Sequence, residues 1–179
     1  ALSNAIRRSR TGSWDSKTGH PQFINFPVNP EKTEGLRTGM IWYSLSAEAL
    51  WHLGDLYDHM RDHVAESLGA PWRVLGNRCW GVTRDILPEG PNKYHLDGLP
   101  IGIYKIMVYL QPMNREYGTI QVQLASGEEI IFEREKPTWV LFKPSELQHR
   151  AIAPSLPDYS RLSIEVKLIP SPKFYLVPY

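Results

Sequence analysis

Two stretches of the sequence hold residues whose types and spacing can do chemistry. In Tyr94-His95-Leu96-Asp97-Gly98 an imidazole and a carboxylate stand two positions apart. On extended backbone residues i and i+2 point to the same side, so His95 and Asp97 converge while Leu96 points away. They offer two ligands of a two-histidine, one-carboxylate facial set, which leaves other positions on a metal open. The pair carries little alone, because a third ligand must come from elsewhere. The second stretch is Glu146-Leu147-Gln148-His149-Arg150-Ala151-Ile152-Ala153, with Arg161 twelve positions beyond His149. Between them, Pro154-Ser155-Leu156-Pro157-Asp158 reads as a turn. A hairpin centred near Leu156 is expected to set His149 opposite about Ser163, with Arg161 a diagonal neighbour on the same face. A guanidinium, which binds carboxylates bidentately, then lies one strand over from a candidate metal ligand.

The other four histidines offer less. His20 lies in an irregular stretch, and His52, His59 and His63 fall on one side of an expected helix. His59 and His63 have the i, i+4 spacing of a helical zinc pair, but Met60, Arg61 and Asp62 between them lack the glutamate that such a site needs as its base. A polar helix edge is the expectation there.

The elements that must position these residues can be read in outline. Ser46 as N-cap, Glu48 in the first turn, and Gly69 before Pro71 bound a helix over 46–68, with Leu53, Tyr57, Met60, Val64 and Leu68 as its apolar stripe. After Pro71 short apolar and β-branched runs alternate with turn residues, which predicts strands near 78–84, 103–110, 118–123, 129–133, 138–142, 147–153 and 161–168. Seven short strands and one flanking helix suggest a small barrel or jelly roll. Residues 1–45 read as an irregular lead-in, 46–69 as the helix and 76–169 as the barrel core of a single domain spanning 1–179. Along the last strand Arg161, Ser163, Glu165 and Lys167 share one face, opposite Leu162, Ile164, Val166 and Leu168. Arg161 and Ser163 suit a barrel mouth, whereas Glu165 and Lys167 fit a barrel interior poorly.

Composition sets the class. The 179 residues carry 20 Lys+Arg against 19 Asp+Glu, and so near-neutral a chain is not built for nucleic acid. The single cysteine, Cys79, rules out a disulfide framework and a cysteine-rich zinc module. No apolar run is long enough to span a bilayer, and the Arg-bearing first ten residues hold no signal-peptide core. The expectation is a cytoplasmic protein with neither a membrane nor a nucleic-acid partner.

Taken together, His95, Asp97, His149 and Arg161 resemble the constellation of the Fe(II)/2-oxoglutarate-dependent oxygenase superfamily: HxD, tens of residues of β structure, His, then Arg about ten residues on. The resemblance covers about 77–168. Tyr94-His95-Leu96-Asp97-Gly98 followed by Lys105-Ile106-Met107-Val108-Tyr109-Leu110 is most similar to the phytanoyl-CoA dioxygenase-like branch, although that branch's Pro-Gly-Ser-His string has no counterpart here. The resemblance implies a mainly β fold, a double-stranded β-helix (jelly roll) with a flanking N-terminal helix. It implies that His95, Asp97 and His149 hold Fe(II) and act as the catalytic set, and that Arg161 pairs the far carboxylate of 2-oxoglutarate. Lys105 and Tyr109, on one face of the second core strand, are further candidates for binding 2-oxoglutarate, as are Arg78 and Arg84 from the first; Trp80 and Trp139 are expected in the core. The implied reaction consumes dioxygen and turns 2-oxoglutarate into succinate while oxidising a small molecule or a tethered or protein side chain. A carboxylate at position 97 favours hydroxylation, or a variant such as desaturation, over the halogenation associated with a small residue there. Two other readings stay open: a catalytically silent jelly-roll binding domain, and a cupin-type metal enzyme, whose usual HxH and Glu this sequence lacks.

Overall fold

A computed structural model of the chain describes residues 1–15, 20–24, 40–83 and 92–171. Its elements are α1 (Leu2–Arg7), β1 (Arg10–Asp15), β2 (His20–Ile24), β3 (Met40–Ser44), α2 (Ala47–Leu68), β4 (Trp72–Val82), β5 (Tyr104–Tyr109), β6 (Thr119–Gln123), β7 (Glu129–Ile131), β8 (Thr138–Phe142), β9 (Gln148–Ile152) and β10 (Arg161–Pro170). A seven-stranded sheet runs β2-β1-β3-β4-β10-β5-β8, and a three-stranded sheet, β7-β6-β9, stands against it. Every strand pairing is antiparallel.

The long helix forms where its caps predict. Ser46 Oγ accepts the Ala49 amide at 3.2 Å, and Gly69 closes the helix in the left-handed region at φ 67°. Ala49, Leu53, Tyr57, Met60 and Val64 are buried along one face. That face packs on the outside of the large sheet, against Ile106, Val108, Leu162, Ile164, Val166 and Leu168. The other face of the same sheet looks into the barrel, where Trp42, Trp80, Val82, Met107 and Tyr109 meet Ile120 and Val122 of the small sheet. Both faces of β10 are therefore buried, one in an apolar layer and the other in a lumen that accepts polar groups. No helix among the described residues is long and apolar enough to cross a membrane.

Three features differ from the sequence reading. The stretch 1–45 contains α1 and three strands, and β1 and β3 extend the large sheet beyond β4. Strand β4 begins at Trp72, six residues before the expected start, because Gly76 is not a turn. It pairs with Lys167 beside a bulge where the register skips Leu75. Finally, β9 and β10 do not form a hairpin: β9 pairs with β6 and places His149 opposite Val122, while β10 lies between β4 and β5. Pro154 and Pro157 remove two amide donors from the connection, Asp158 turns it at φ 55°, and the chain crosses from one sheet to the other.

Candidate metal centre and its cavity

His95 and Asp97 sit on an extended segment between β4 and β5. His95 is held to β9 by a reciprocal pair of backbone hydrogen bonds with His149, each 3.1 Å, and the Asp97 amide donates to Pro144 O at 2.8 Å. The i, i+2 alternation holds, since Leu96 is half exposed. His95 Nε2 lies 3.4 Å and His149 Nε2 3.8 Å from Asp97 Oδ1. The three ligand atoms lie within 4.8 Å of one another, the one such group of metal-ligating residues among those described. On the helix, His59 and His63 are exposed and His52 lies 3.5 Å from Asp55, in keeping with a polar edge.

The surroundings fix the orientation of each ligand. His95 Nδ1 is 2.9 Å from Lys93 O and His149 Nδ1 is 2.9 Å from Leu147 O. A carbonyl can only accept, so both Nδ1 atoms carry protons and both Nε2 atoms face the common point. Lys105 Nζ bonds Asp97 Oδ2, and its other partner is Glu165 Oε2 at 3.0 Å. The outer oxygen of Asp97 is thus taken, and Oδ1 is left to the histidines' side.

Burial and charge act in opposite senses here. Burial alone would raise the Asp97 pKa, but hydrogen bonds from His95 and Lys105 and the Lys105 charge hold the carboxyl well below its usual range. Burial pulls His149 down to about 4, so its imidazole is neutral near pH 7. The hydrogen bond to Asp97 raises His95 despite partial burial.

Seven of the site candidates named from the sequence line one cavity of about 370 Å³: His95, Asp97, His149, Arg161, Lys105, Tyr109 and Arg78. Arg161 is 2% exposed, and its Nη1 donates to Thr119 O and Ile152 O, each at 2.9 Å. Its guanidinium lies 5.4 Å from the centre of the buried Tyr109 ring. The Arg161 Nε and the Ser163 Oγ two residues on are buried without a hydrogen-bond partner, an arrangement that a buried anion would satisfy. Ile152 is three residues along β9 from His149, which sets the guanidinium roughly 10 Å from the His149 backbone. Arg161 is therefore not the diagonal strand neighbour of His149 that a hairpin would make it; the two reach the same cavity from different sheets.

Glycine at 118 is required by this packing. Its φ is +84°, and a Cβ there would stand 2.9 Å from Ile152 O and 3.0 Å from Arg161 Nη1.

Sequence reasoning missed two participants. Glu165 looked misplaced, yet it is buried at 2% exposure and accepts Arg78 Nε and Nη2 at 2.8 and 2.6 Å as well as Lys105. Burial raises the Glu165 pKa, and the Lys105 and Arg78 charges outweigh this and hold it below its ordinary value. Trp42 lines the same cavity beside Trp80, ring centroids 5.3 Å apart. Trp139 is half buried in the outer layer, and Arg84 lies outside the described residues. The one available signal was the run of charges on a strand whose opposite face was wholly apolar.

Comparison with known proteins agrees at the level of architecture. The chain superposes on SnoN, a non-haem alpha-ketoglutarate-dependent epimerase from nogalamycin biosynthesis, with a TM-score of 0.56 and 16% identity over 94% of this chain and 81% of that one. It superposes on HygX of Streptomyces hygroscopicus, solved with nickel, 2-oxoglutarate and hygromycin B bound, with a TM-score of 0.51 and 18% identity over 74% of this chain and 70% of that one. A putative oxygenase from Shewanella oneidensis gives 0.53 and 13% identity over 90% and 71%. The chain has the jelly-roll fold of the 2-oxoglutarate-dependent oxygenases. No protein-family model and no curated protein matches the sequence. At these identities the likeness is one of oxygenase fold, and it does not reach to the phytanoyl-CoA branch or to any substrate.

Proposed function

We propose that this chain is an Fe(II)- and 2-oxoglutarate-dependent oxygenase that hydroxylates a small molecule or a tethered or protein side chain. One observation carries the reading: two imidazole Nε2 atoms and one carboxylate oxygen converge at one end of a cavity whose other end holds a buried guanidinium with an unsatisfied Nε. The donor set fits a divalent iron, with His95, Asp97 and His149 as ligands on one side and open positions on the other. Arg161 would take the far carboxylate of 2-oxoglutarate, with Ser163 and Tyr109 beside it. Bound there, iron and 2-oxoglutarate supply the coupled chemistry in which dioxygen oxidises substrate while 2-oxoglutarate loses carbon dioxide to become succinate.

The remaining residues hold and shield. The Lys93 and Leu147 carbonyls fix the two histidines in one tautomer, and Lys105 keeps Asp97 presenting Oδ1. Lys105 is therefore a support for the metal carboxylate rather than a direct contact of 2-oxoglutarate. Met107, Ile120 and Val82 wall the cavity with apolar groups and limit water.

The test is to add Fe(II) and then 2-oxoglutarate to metal-free protein under anaerobic conditions and follow the metal-to-ligand charge-transfer absorption. The band should need both additions, vanish in His149→Ala and weaken strongly in Arg161→Ala. Absence of both the band and any calorimetric binding in the native sequence would return the fold to the silent jelly-roll reading.

A further inference from the structure

The strand registers lay out the floor of the lumen as a grid. One row holds Met107, Glu165 and Arg78; the next holds Tyr109, Ser163, Trp80 and Trp42; a third holds Arg161 and Val82. The metal-ligating group sits over the Lys105 side and Arg161 closes the third row. That leaves the region of Arg78, Trp80 and Trp42, which lines the same cavity but touches neither the three ligands nor Arg161 in the polar contacts described above.

Its chemistry is distinct. Arg78 is the most open of the cations around Glu165, its side chain 42% exposed where those of Lys105 and Lys167 are at 6% and 28%. Both of its bonds to Glu165 go to Oε1 through Nε and Nη2, and Nη1 makes no hydrogen bond among the described residues. The guanidinium carbon lies 5.8 Å from the Trp42 ring centre, and Trp42 is tilted 39° to Trp80. Lys167 Nζ stands 3.8 Å from Glu165 as well. Among the described residues Arg78, Lys105 and Lys167 thus face only Glu165 and Asp97, and a divalent ion on Asp97 would leave the region more positive still. Glu165 holds only one edge of the Arg78 guanidinium, and the exposed edge beside the Trp42 ring can bind a carboxylate by paired hydrogen bonds with a flat group stacked next to it. The cavity volume, about 370 Å³, is near the small end of ligand pockets, so the occupant is small.

We propose that Arg78, Trp42 and Trp80 form the substrate subsite, and that it takes a carboxylate carried beside a flat apolar body of one or two rings. The assignment deepens the oxygenase reading above and rests on it for the word substrate; the binding it predicts does not need the metal. The probes are phenylacetate and 2-naphthylacetate, each paired with its neutral primary amide, titrated calorimetrically and by saturation-transfer NMR into the full metal-free chain. Each acid should bind at least tenfold more tightly than its amide. Arg78→Gln should erase that ratio and Arg78→Lys should keep part of it, with both variants melting cooperatively. Arg161→Gln should do the reverse, weakening metal-dependent 2-oxoglutarate binding while sparing the acid preference. Equal binding of acid and amide, binding of neither, or a preference that survives Arg78→Gln overturns the subsite. So does a preference lost only in Arg161→Gln, because the acid would then occupy the 2-oxoglutarate end. Failure of the native chain to bind 2-oxoglutarate with metal, alongside an intact acid preference, would sink the oxygenase reading and leave the anion subsite standing.

Discussion

From Arg161 to Val166 the two faces of β10 are equally buried and chemically opposite. Leu162, Ile164, Val166 and Leu168 are at 0% exposure against α2, while Arg161, Ser163 and Glu165 are at 2%, 0% and 2% toward the lumen. Burial of the first set needs only apolar neighbours. Burial of the second needs partners for each charge, and these come from other strands: Arg78 on β4, Lys105 on β5, and the carbonyls of Thr119 and Ile152 for Arg161. One face thus makes the protein stable and the other makes it specific. Removing a side chain from each should separate the two roles.

The largest effect is expected at Glu165. Replacing it by Ala leaves Lys105 buried with one partner and Arg78 with none from β10, a loss of roughly 3–5 kcal/mol for a broken buried ion pair. Because Lys105 also holds Asp97, metal affinity should fall with stability. Ile164→Ala on the opposite face should cost a comparable or smaller amount, roughly 2–5 kcal/mol for a truncated core side chain, yet leave metal and 2-oxoglutarate affinities unchanged wherever the variant is folded. Urea denaturation paired with metal titration measures both. Equal loss of metal affinity in the two variants would mean the faces do not act separately.

The same contrast shows what a sequence can disclose. Alternation along β10 fixes which residues share a face, and the caps at Ser46 and Gly69 fix the helix, because both signals are local. His95 and Asp97 were legible for the same reason, being two residues apart on extended chain. Partners in space are a different matter. Nothing within residues 149–161 says that β9 joins β6 while β10 inserts between β4 and β5, and the prolines that forbid the hairpin look like ordinary turn residues. Glu165 was misjudged because a charge on a strand reads as solvent-facing until Arg78 and Lys105, 87 and 60 positions away, are brought to it. Lys105 was placed in the cavity on sound grounds, yet its partners Asp97 and Glu165 could not be read. Gly12 and Pro21 interrupt the pattern of β1 and β2, whereas Met40-Ile41-Trp42-Tyr43 of β3 was a local apolar signal that the reading passed over.

A smaller effect should follow from Gly118→Ala. The positive φ alone costs about 1–3 kcal/mol for a residue with a Cβ. The added carbon also meets Ile152 O and the Arg161 Nη1, so the guanidinium must shift. Stability should drop modestly and 2-oxoglutarate affinity by more than that drop explains, with metal affinity preserved. A variant that binds 2-oxoglutarate normally would show that Arg161 tolerates displacement.

Acid should weaken the lumen face before the outer one. The folded-state pKa of Glu165 lies below its ordinary value of 4.5, so its contribution is fully present above that value and is lost as pH falls through the depressed folded pKa. The stability difference between the native sequence and Glu165→Gln should therefore be greatest near pH 7 and shrink below about pH 4.5. For Ile164→Ala, which removes no titrating group, the difference should stay flat across that range. A difference for Glu165→Gln that is also flat would mean the carboxylate is not held by its cations.

The smallest effect belongs to Cys79, and it reports on the outer layer alone. Cys79 neighbours Arg78 in sequence but points the other way, pairing in register with Ile164 and lying among the residues packed against α2. Burial pushes its thiol up to about 12, with the Arg7 charge only partly opposing, so at pH 8 it is neither accessible nor ionised. Alkylation by iodoacetamide should be undetectable in the native chain and rapid after unfolding. In Glu165→Ala the measurement becomes diagnostic. If the lumen face can loosen by itself, metal affinity falls while Cys79 stays protected. If Cys79 becomes reactive in proportion to the lost stability, the two faces of β10 open as one cooperative unit, and only the ligand affinities, not the stabilities, distinguish them.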